Sequence, residues 1–242
     1  MKKLILIVTI STIFGCSKQD SVTEDRNIAT SSILKYSVLE KNTSNIIMTK
    51  SYEITNDKVT KETYESNILP QYNYIRTFEY DNLNRLINAK INNQITSTIQ
   101  WNGNIASVFN SINQLVAIYT FDNNQKLLEF TANNVITEYN YDLNDNVIAI
   151  KKDGEIVTEF LNYDTNLINP MSLIKSIGLL KTEFKPYFKN FFNIEKQYPS
   201  TGEDYISPLQ YFNYVKTLDG TNRIFTIENQ KTLIYTEKFE YL

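Results

Sequence analysis

The sequence contains no histidine, one cysteine, six glycines and five prolines among its 242 residues. Without histidine, the chain cannot form a Ser-His-Asp triad, a Cys-His pair or a metal site with imidazole ligands. A single cysteine excludes an internal disulfide, and six scattered glycines provide no glycine-rich loop for phosphate. The chemistry that survives these absences is that of carboxylates, because a glycosidase needs only two Asp or Glu side chains.

An excess of basic residues is also absent. The chain has 27 acidic and 24 basic residues, which gives a formal net charge of -3. This slight acidic excess argues against nucleic acid as a partner and against a polybasic patch for membrane surfaces.

The N-terminus has the pattern of a bacterial lipoprotein signal. Met1-Lys2-Lys3 is basic, Leu4 to Ile10 is apolar but too short to span a bilayer, and Ile13-Phe14-Gly15-Cys16 resembles a lipobox. We therefore predict a signal peptide at 1–15 and lipidation of Cys16; the alternative is an ordinary secretory signal with an incidental cysteine. Residues 16–32 are polar and lack aromatics, so they are predicted to form a flexible tether between membrane and fold.

A repeat of about 20 residues organises the middle of the chain. Phe78-Glu-Tyr80-Asp81, Tyr119-Thr-Phe121-Asp122 and Tyr139-Asn-Tyr141-Asp142 each contain two aromatics and an Asp. Four residues after the Asp comes a polar or basic residue, and an aliphatic residue follows it. Degenerate copies include Trp101 and Tyr163-Asp164, so the second aromatic falls at positions 80, 101, 121, 141 and 163.

Each repeat predicts a β-hairpin. Aromatics at i and i+2 lie on one face of a strand, and the Asp that follows can turn the chain by bonding its own backbone two residues on. The residue three after that Asp is predicted to be left-handed, and it is Asn84, Gln125 or Asp145. Shorter two-residue turns are predicted at Asn92-Asn93, Asn102-Gly103, Asn133-Asn134 and Asp153-Gly154.

Strand signals also flank the repeats. Ile33 to Leu39 and Ile46 to Ile54 precede them, with a turn at Asn56-Asp57, and a later hairpin is predicted to turn at Asp219-Gly220. The sequence therefore predicts an all-β fold, a curved antiparallel meander of repeated hairpins, in one domain at 33–242.

The pattern aromatic-x-Tyr-Asp-x-x-x-basic-Leu resembles the YD repeats of the Rhs family, and more closely the short YD-repeat-like lipoproteins of Bacteroidota. The resemblance covers about Phe78 to Pro170, and its best matches are Tyr80-Asp81, Phe121-Asp122 and Tyr141-Asp142. Family members usually carry Gly at the fourth turn position, where this chain has Asn, Gln or Asp. The resemblance implies a fold but no activity, because the repeats of the family hold no catalytic residues.

The repeat is interrupted after Tyr163-Asp164. Asn169-Pro170 supplies an N-cap and a first helical residue, and helical spacing of apolar residues continues to about Gly178. We predict a helical and aromatic insertion at about 169–195, which also contains Phe184, Phe188, Phe191 and Phe192. Either the insertion packs over the sheet and completes the core, which we favour, or it covers a groove in which these phenylalanines bind a ligand.

The carboxylates that stand out are those of Asp81, Asp122, Asp142 and Asp164. Each occupies the same turn position of its repeat, so turn formation explains them as structural residues. No pair of carboxylates breaks this pattern, and no segment matches an EF-hand loop. The sequence thus predicts a protein without catalytic activity, metal or cofactor.

Location and composition together suggest a role. We predict a lipid-anchored protein of the cell envelope, in the outer membrane and on either its periplasmic or its outer side, that acts as a binding module or scaffold. Its expected partners are the membrane, through Cys16, and a glycan or an envelope protein. A glycan- or peptide-binding surface, favoured by the 17 tyrosines, and a carboxylate-dependent glycoside hydrolase are the alternatives.

Overall fold

The computed structural model describes residues 31–40, 45–180, 189–199, 210–229 and 235–242. The predicted signal peptide, Cys16 and most of the tether lie outside these residues, as do Phe184 and Phe188. Within them the chain forms 18 β-strands and two 3₁₀ helices. None of the described helices is long and apolar enough to span a membrane.

The elements follow one another closely along the chain. Strands β1 to β9 are Ser31–Glu40, Ile46–Thr55, Lys58–Ser66, Tyr74–Tyr80, Leu86–Ile91, Gln94–Asn102, Ile105–Asn110, Leu115–Phe121 and Leu127–Ala132. Strands β10 to β18 are Val135–Tyr141, Val147–Lys152, Glu155–Leu161, Asp164–Ile168, Asn190–Phe191, Ile194–Gln197, Gln210–Leu218, Ile224–Asn229 and Tyr235–Tyr241. The 3₁₀ helices η1 and η2 are Pro70–Tyr72 and Pro170–Leu180.

Sixteen of the strands form one closed antiparallel barrel. Neighbours in the wall follow the chain from β1 to β12, continue with β15 to β18, and close where β18 pairs with β1. At this seam Leu34 faces Tyr52 on one side and Tyr241 on the other. The predicted all-β antiparallel meander is confirmed, and the closure of its two edges is what the structure adds.

The turns show which backbone positions the sequence specified. Asn84, Gln125 and Asp145 have φ of 62°, 61° and 67°, as predicted for the left-handed position. Strand β6 extends through Asn102, so its turn is Gly103-Asn104, one residue later than predicted. The predicted turn at Asp219-Gly220 is present, and it is part of a five-residue turn that Asp219 begins and Arg223 ends.

The interruption of the repeat begins as predicted and then departs from the prediction. Asn169 caps η2 by accepting the N–H of Met171 through Oδ1 at 3.1 Å, but the helix is 3₁₀ rather than α. Past residue 189 the predicted helical insertion is replaced by strands. Strand β14 pairs with β13 in a separate two-stranded sheet, and β15 joins the barrel wall between β12 and β16.

A single apolar core fills the barrel. Barrels of 16 strands are wide enough to leave a channel, but here the chain places its own interruption inside. Ile174 and Ile177 of η2 are 0% exposed and pack with inward side chains of the wall. Phe191 and Phe192 complete the filling at 1% and 0% exposure.

The barrel has two unlike ends. One end carries the Asp turns after β4, β8, β10 and β16 and is closed by η2, and we call it the plugged end. The other end carries the turns after β5, β7, β9 and β11, and we call it the far end.

Candidate functional site

Three of the four turn aspartates identified in the sequence begin turns of one geometry at the plugged end. The Oδ1 atom of Asp81, Asp122 or Asp142 accepts the backbone N–H groups two and four residues on, at 2.8 or 2.9 Å. The Asp N–H donates to the carbonyl four residues on at 2.9 Å in all three. Asp219 makes the same bonds to Thr221 and Arg223, at 2.8 and 2.9 Å.

The fourth aspartate, Asp164, lies in a different setting. It begins β13, and its Oδ1 accepts the N–H of Asn166 at 3.0 Å. After β12 the chain leaves the barrel wall, so no hairpin strand returns from Asp164 to complete a five-residue turn. Asp164 therefore does not form the five-residue turn that its position in the repeat predicts and that the other three aspartates form.

In every repeat except that of Phe121, the second aromatic attaches its hairpin to the one before it, and Tyr241 of the last strand does the same. Tyr80, Tyr141 and Tyr241 donate their hydroxyls to the carbonyls of Val59, Leu127 and Ile224 at 2.7, 2.6 and 3.0 Å. Tyr163 donates in the same way to Val147, and Trp101 donates from Nε1 to Leu86 at 2.9 Å. Burial raises the pKa of Tyr80 to about 12, so its hydroxyl stays protonated and can donate. Phe121 carries no hydroxyl.

Basic residues cover these aromatic rings. Arg85 lies over Trp101 at 5.0 Å, and Arg223 lies over Tyr241 at 4.1 Å. Lys58 over Tyr80 and Lys126 over Tyr141 follow the same arrangement, both at 5.6 Å. Each cation–π contact contributes about 0.5–1 kcal/mol. The basic position of the repeat thus reaches the aromatic of the next repeat.

One repeat replaces its basic residue with Asn146, and the structure shows why. Asn146 is fully buried, and its Oδ1 accepts the N–H of Asn190 at 3.2 Å. Its Nδ2 donates to Oδ2 of Asp142, also at 3.2 Å. An uncharged amide is needed here because β14 covers the turn, and a buried unpaired cation would be costly.

Helix η2 is bonded to the wall at the plugged end. Ser176 Oγ accepts the N–H of Val59 at 3.0 Å and lies 3.2 Å from the hydroxyl of Tyr80. Tyr119 donates its hydroxyl to the carbonyl of Leu179 at 3.1 Å. These bonds fix η2 on one side of the barrel mouth.

A cavity of about 920 Å³ lies between η2 and the rim of the plugged end, and we call it the rim cavity. Its volume is within the range of small-molecule sites. Residues from the wall and from η2 line it: Ser32, Ile54, Asn56, Asp57, Lys58, Asn84, Arg85, Leu86, Trp101, Phe121, Gln125, Ser172, Leu173, Lys175, Ser176 and Leu179. The rim cavity is the candidate functional site.

The charged groups of the rim cavity differ in how they are paired. Arg85 is ion-paired with Asp81 at 2.7 Å. Lys58 instead donates to the neutral amide oxygen of Asn84 at 2.8 Å. Lys175, on η2, forms no hydrogen bond or ion pair with another described residue. Its side chain is exposed at the mouth, yet desolvation still lowers its pKa, with Asp122 and Asp145 acting in the opposite direction.

The aromatics proposed as binding residues lie elsewhere. Phe191 and Phe192 stack on each other at 4.8 Å, and Phe192 packs against Phe160 at 4.6 Å. Both belong to the core and neither lines the rim cavity. Phe184 and Phe188 are outside the described residues.

Sequence reasoning missed the rim cavity and the likeness of the Asp219 turn to the Asp turns of the repeat. The turn had a signal, since Asp219-Gly-Thr-Asn222-Arg223 shares its Asp, Asn and Arg with Asp81-Asn-Leu-Asn84-Arg85. The cavity had none, because it depends on where η2 seats against a closed wall.

Comparisons with known proteins bear on the fold. Protein-family models give no match, and neither do curated protein sequences. A porin-like protein from Bacteroides uniformis is similar in structure, with a TM-score of 0.55 and 11% identity over 88% of this chain and 98% of that one. A porin-like protein from Bacteroides vulgatus gives a TM-score of 0.39 and 10% identity over 85% and 97%. The TcdB2-TccC3 structure gives 0.24 and 11% over 81% and 12%.

Proposed function

We propose that the chain is a lipid-anchored protein of the bacterial cell envelope whose barrel lies in the aqueous phase and binds a ligand in the rim cavity without catalysis. The observation that carries this proposal is the polarity of the two faces of the barrel wall. The similarity to a porin-like protein concerns the fold, and the two faces of the wall favour a barrel in water over a channel.

The outer face of the wall carries ion pairs between neighbouring strands. Lys61 pairs with Glu53 at 2.8 Å and Lys196 pairs with Glu159 at 2.8 Å. Lys35 with Glu240, Lys90 with Glu79, and Lys238 with Glu240 form further pairs on this face. A barrel that spans a membrane presents an apolar band outward and a polar interior. In this barrel a large apolar core lies inside, together with the buried ion pair of Glu62 and Arg76, and the outer ion pairs lie among exposed aliphatics such as Ile95 and Ile156. A packed interior and charged pairs on the outer face suit a barrel with water outside.

Attachment to a membrane would then depend on the lipid rather than on the wall. Two or more acyl chains on Cys16 would give stable anchoring, and the predicted tether would hold the barrel off the bilayer. We also infer that the chain is a short YD-repeat-like lipoprotein. The shared Asp turn, the Tyr-to-carbonyl bond and the covering cation give each position of the repeat a physical role.

The anchor is tested with Cys16→Ser. The wild-type protein should fractionate with membranes and incorporate a palmitate analogue, and Cys16→Ser should do neither. Lys18→Ser, a change in the same segment, serves as the control and should leave both unchanged. A Cys16→Ser protein that still labels and sediments with membranes would overturn the anchor.

Binding in the rim cavity is supported by its volume and by its mixed lining of amides, hydroxyls, cations and apolar side chains. Among the described residues, the lining contains one carboxylate, that of Asp57, whereas glycosidases of both stereochemical types use two. Binding is therefore the better proposal for this site than glycoside hydrolysis.

Array binding tests the site. Purified wild-type protein and a Ser172→Trp variant, which places an indole in the cavity, are applied to glycan and peptide arrays. We expect ligands that bind the wild type and are lost with Ser172→Trp, while circular dichroism shows that the variant is folded. A ligand that binds both proteins equally would place binding outside the rim cavity.

A further inference from the structure

The rim cavity offers more cationic than anionic groups to a ligand. In the part of the chain that the structure describes, Lys58, Arg85 and Lys175 line it, against the single carboxylate of Asp57. The carboxylate of Asp81, outside the lining, neutralises Arg85. This leaves the ammonium groups of Lys58 and Lys175, neither of which is ion-paired with a carboxylate among the described residues.

Lys175 is the more available of the two. It projects from η2, whereas Lys58 already donates to Asn84 and lies over Tyr80. Of the two carboxylates that act on Lys175 from the neighbouring turns, that of Asp145 is ion-paired with Lys126. An anionic group on a ligand would therefore meet an ammonium that no described residue bonds, with the more distant charge of Asp122 as its remaining competitor.

The neutral polar groups of the cavity suit hydroxyls. Asn56 and Gln125 make no side-chain hydrogen bond to another described residue, and Asn84 uses only its oxygen, for Lys58. An amide presents donors and an acceptor side by side, which matches hydroxyl groups that also donate and accept. The lining also contains the hydroxyls of Ser32, Ser172 and Ser176, and its apolar part includes Ile54, Leu86, Leu173 and Leu179.

We propose that the rim cavity binds a saccharide that contains a uronic acid. The carboxylate meets Lys175 and Lys58, the hydroxyls meet the amides of Asn56, Asn84 and Gln125, and the C–H faces of the sugar ring meet the apolar wall. This inference rests on the proposed binding function and names the ligand class for that site.

Titration calorimetry with trigalacturonate and with its trimethyl ester tests the proposal, because the ester keeps the sugar and removes the charge. We expect Lys175→Met to weaken binding of trigalacturonate by up to about fivefold, the upper end for an ion pair at an exposed site. The same variant should leave the weaker binding of the ester unchanged. Raising the salt concentration should weaken the binding of trigalacturonate but not the binding of the ester. Lys152→Met, which changes an exposed lysine at the far end, is the matched control and should bind like wild type.

The outcomes separate this inference from the function on which it rests. Equal affinity for acid and ester, or no effect of Lys175→Met, would overturn the uronic-acid proposal. If neutral glycans or peptides bind and Ser172→Trp abolishes that binding, the cavity is a binding site with another ligand class. If no array ligand depends on the cavity, both proposals fall.

Discussion

The two ends of the barrel close their hairpins by different means. At the plugged end an Asp side chain binds two backbone N–H groups, and an aromatic donates to a carbonyl of the preceding hairpin. At the far end Asn133-Asn134 closes its turn with the backbone alone, at φ of 51° and 63°. Side chains that bind backbone need particular atoms, whereas a left-handed turn needs only a residue that tolerates positive φ. The repeat signature is therefore concentrated at one end.

One far-end turn shows what the five-residue geometry requires. Asn110 accepts the N–H groups of Ile112 and Gln114 through Oδ1 at 3.1 and 2.9 Å, and Asn113 has φ of 59°. The geometry is that of the Asp turns, with an amide in place of the carboxylate. An acceptor oxygen is thus sufficient to form the turn, and the negative charge is an addition at the plugged end.

The largest expected difference in stability is between a substitution in the filled interior of the plugged end and one on the outer surface at the far end. Ile177→Ala removes a side chain that is 0% exposed and leaves a cavity under η2, so it should cost about 2–5 kcal/mol of unfolding free energy. The matched change Ile156→Ala, at a side chain 41% exposed, should cost less than about 0.5 kcal/mol. Urea denaturation measures both, and similar losses in the two variants would mean that η2 does not contribute to the core.

The second effect compares the turns themselves. Asp142→Ala leaves the N–H groups of Asn144 and Asn146 without their acceptor and should destabilise by about 1–3 kcal/mol. Asn134→Gly at the far end should change the free energy of unfolding by about 0.5 kcal/mol or less, because Gly also adopts a φ of 63°. Thermal and urea unfolding report the two values. A larger loss of stability in Asn134→Gly than in Asp142→Ala would show that the far-end turn contributes more to the free energy of unfolding than the Asp turn.

A third effect isolates the aromatic hydroxyl. Tyr141→Phe keeps the ring under Lys126 and removes the donor to the carbonyl of Leu127, so it should cost about 1 kcal/mol. Tyr72→Phe, at a far-end residue that is 63% exposed, is the control and should be neutral. The wild-type barrel already accepts a ring without a hydroxyl at Phe121, which predicts that Tyr141→Phe folds. Equal stability of Tyr141→Phe and wild type would show that the hydroxyl makes no net contribution to the free energy of unfolding.

The smallest effect at neutral pH concerns the charge of the turn. The backbone N–H of Arg223, followed by Thr221 and the Arg223 guanidinium, lowers the pKa of Asp219 from 3.8 to about 2. Because the folded-state pKa is the lower one, its stabilising contribution is present above about pH 4 and is lost as the pH falls toward about 2. Asp219→Asn retains the acceptor oxygen, as Asn110 does, so stability near pH 7 should change little.

Urea unfolding between pH 4 and pH 2 distinguishes the two proteins. The free energy of unfolding should fall less steeply in Asp219→Asn than in wild type, because the variant has no proton to take up at this position. Parallel curves for the two proteins would show that Asp219 does not contribute to acid unfolding.

The sequence by itself determined the strands and most of their turns. Alternating aromatics, the Asp at each turn and the left-handed Asn84 or Asp145 are local features, since each acts within one hairpin. A period of about 20 residues could therefore be read directly, and it predicted the antiparallel meander. The five-residue geometry of the turn at Asp219 was equally local and could have been found by aligning it with the turn at Asp81.

Tertiary structure alone decided the closure of the barrel, the reach of each Tyr hydroxyl to the preceding hairpin, and the seat of η2. These depend on contacts between residues far apart in the chain, such as Ser176 with Val59 or Asn146 with Asn190. No local pattern specifies such distances, because the sheet must first curve and close before the interruption has an interior to fill. The rim cavity is the space left between η2 and that closed wall, so its lysines, amides and apolar side chains became a site only when the fold brought them together.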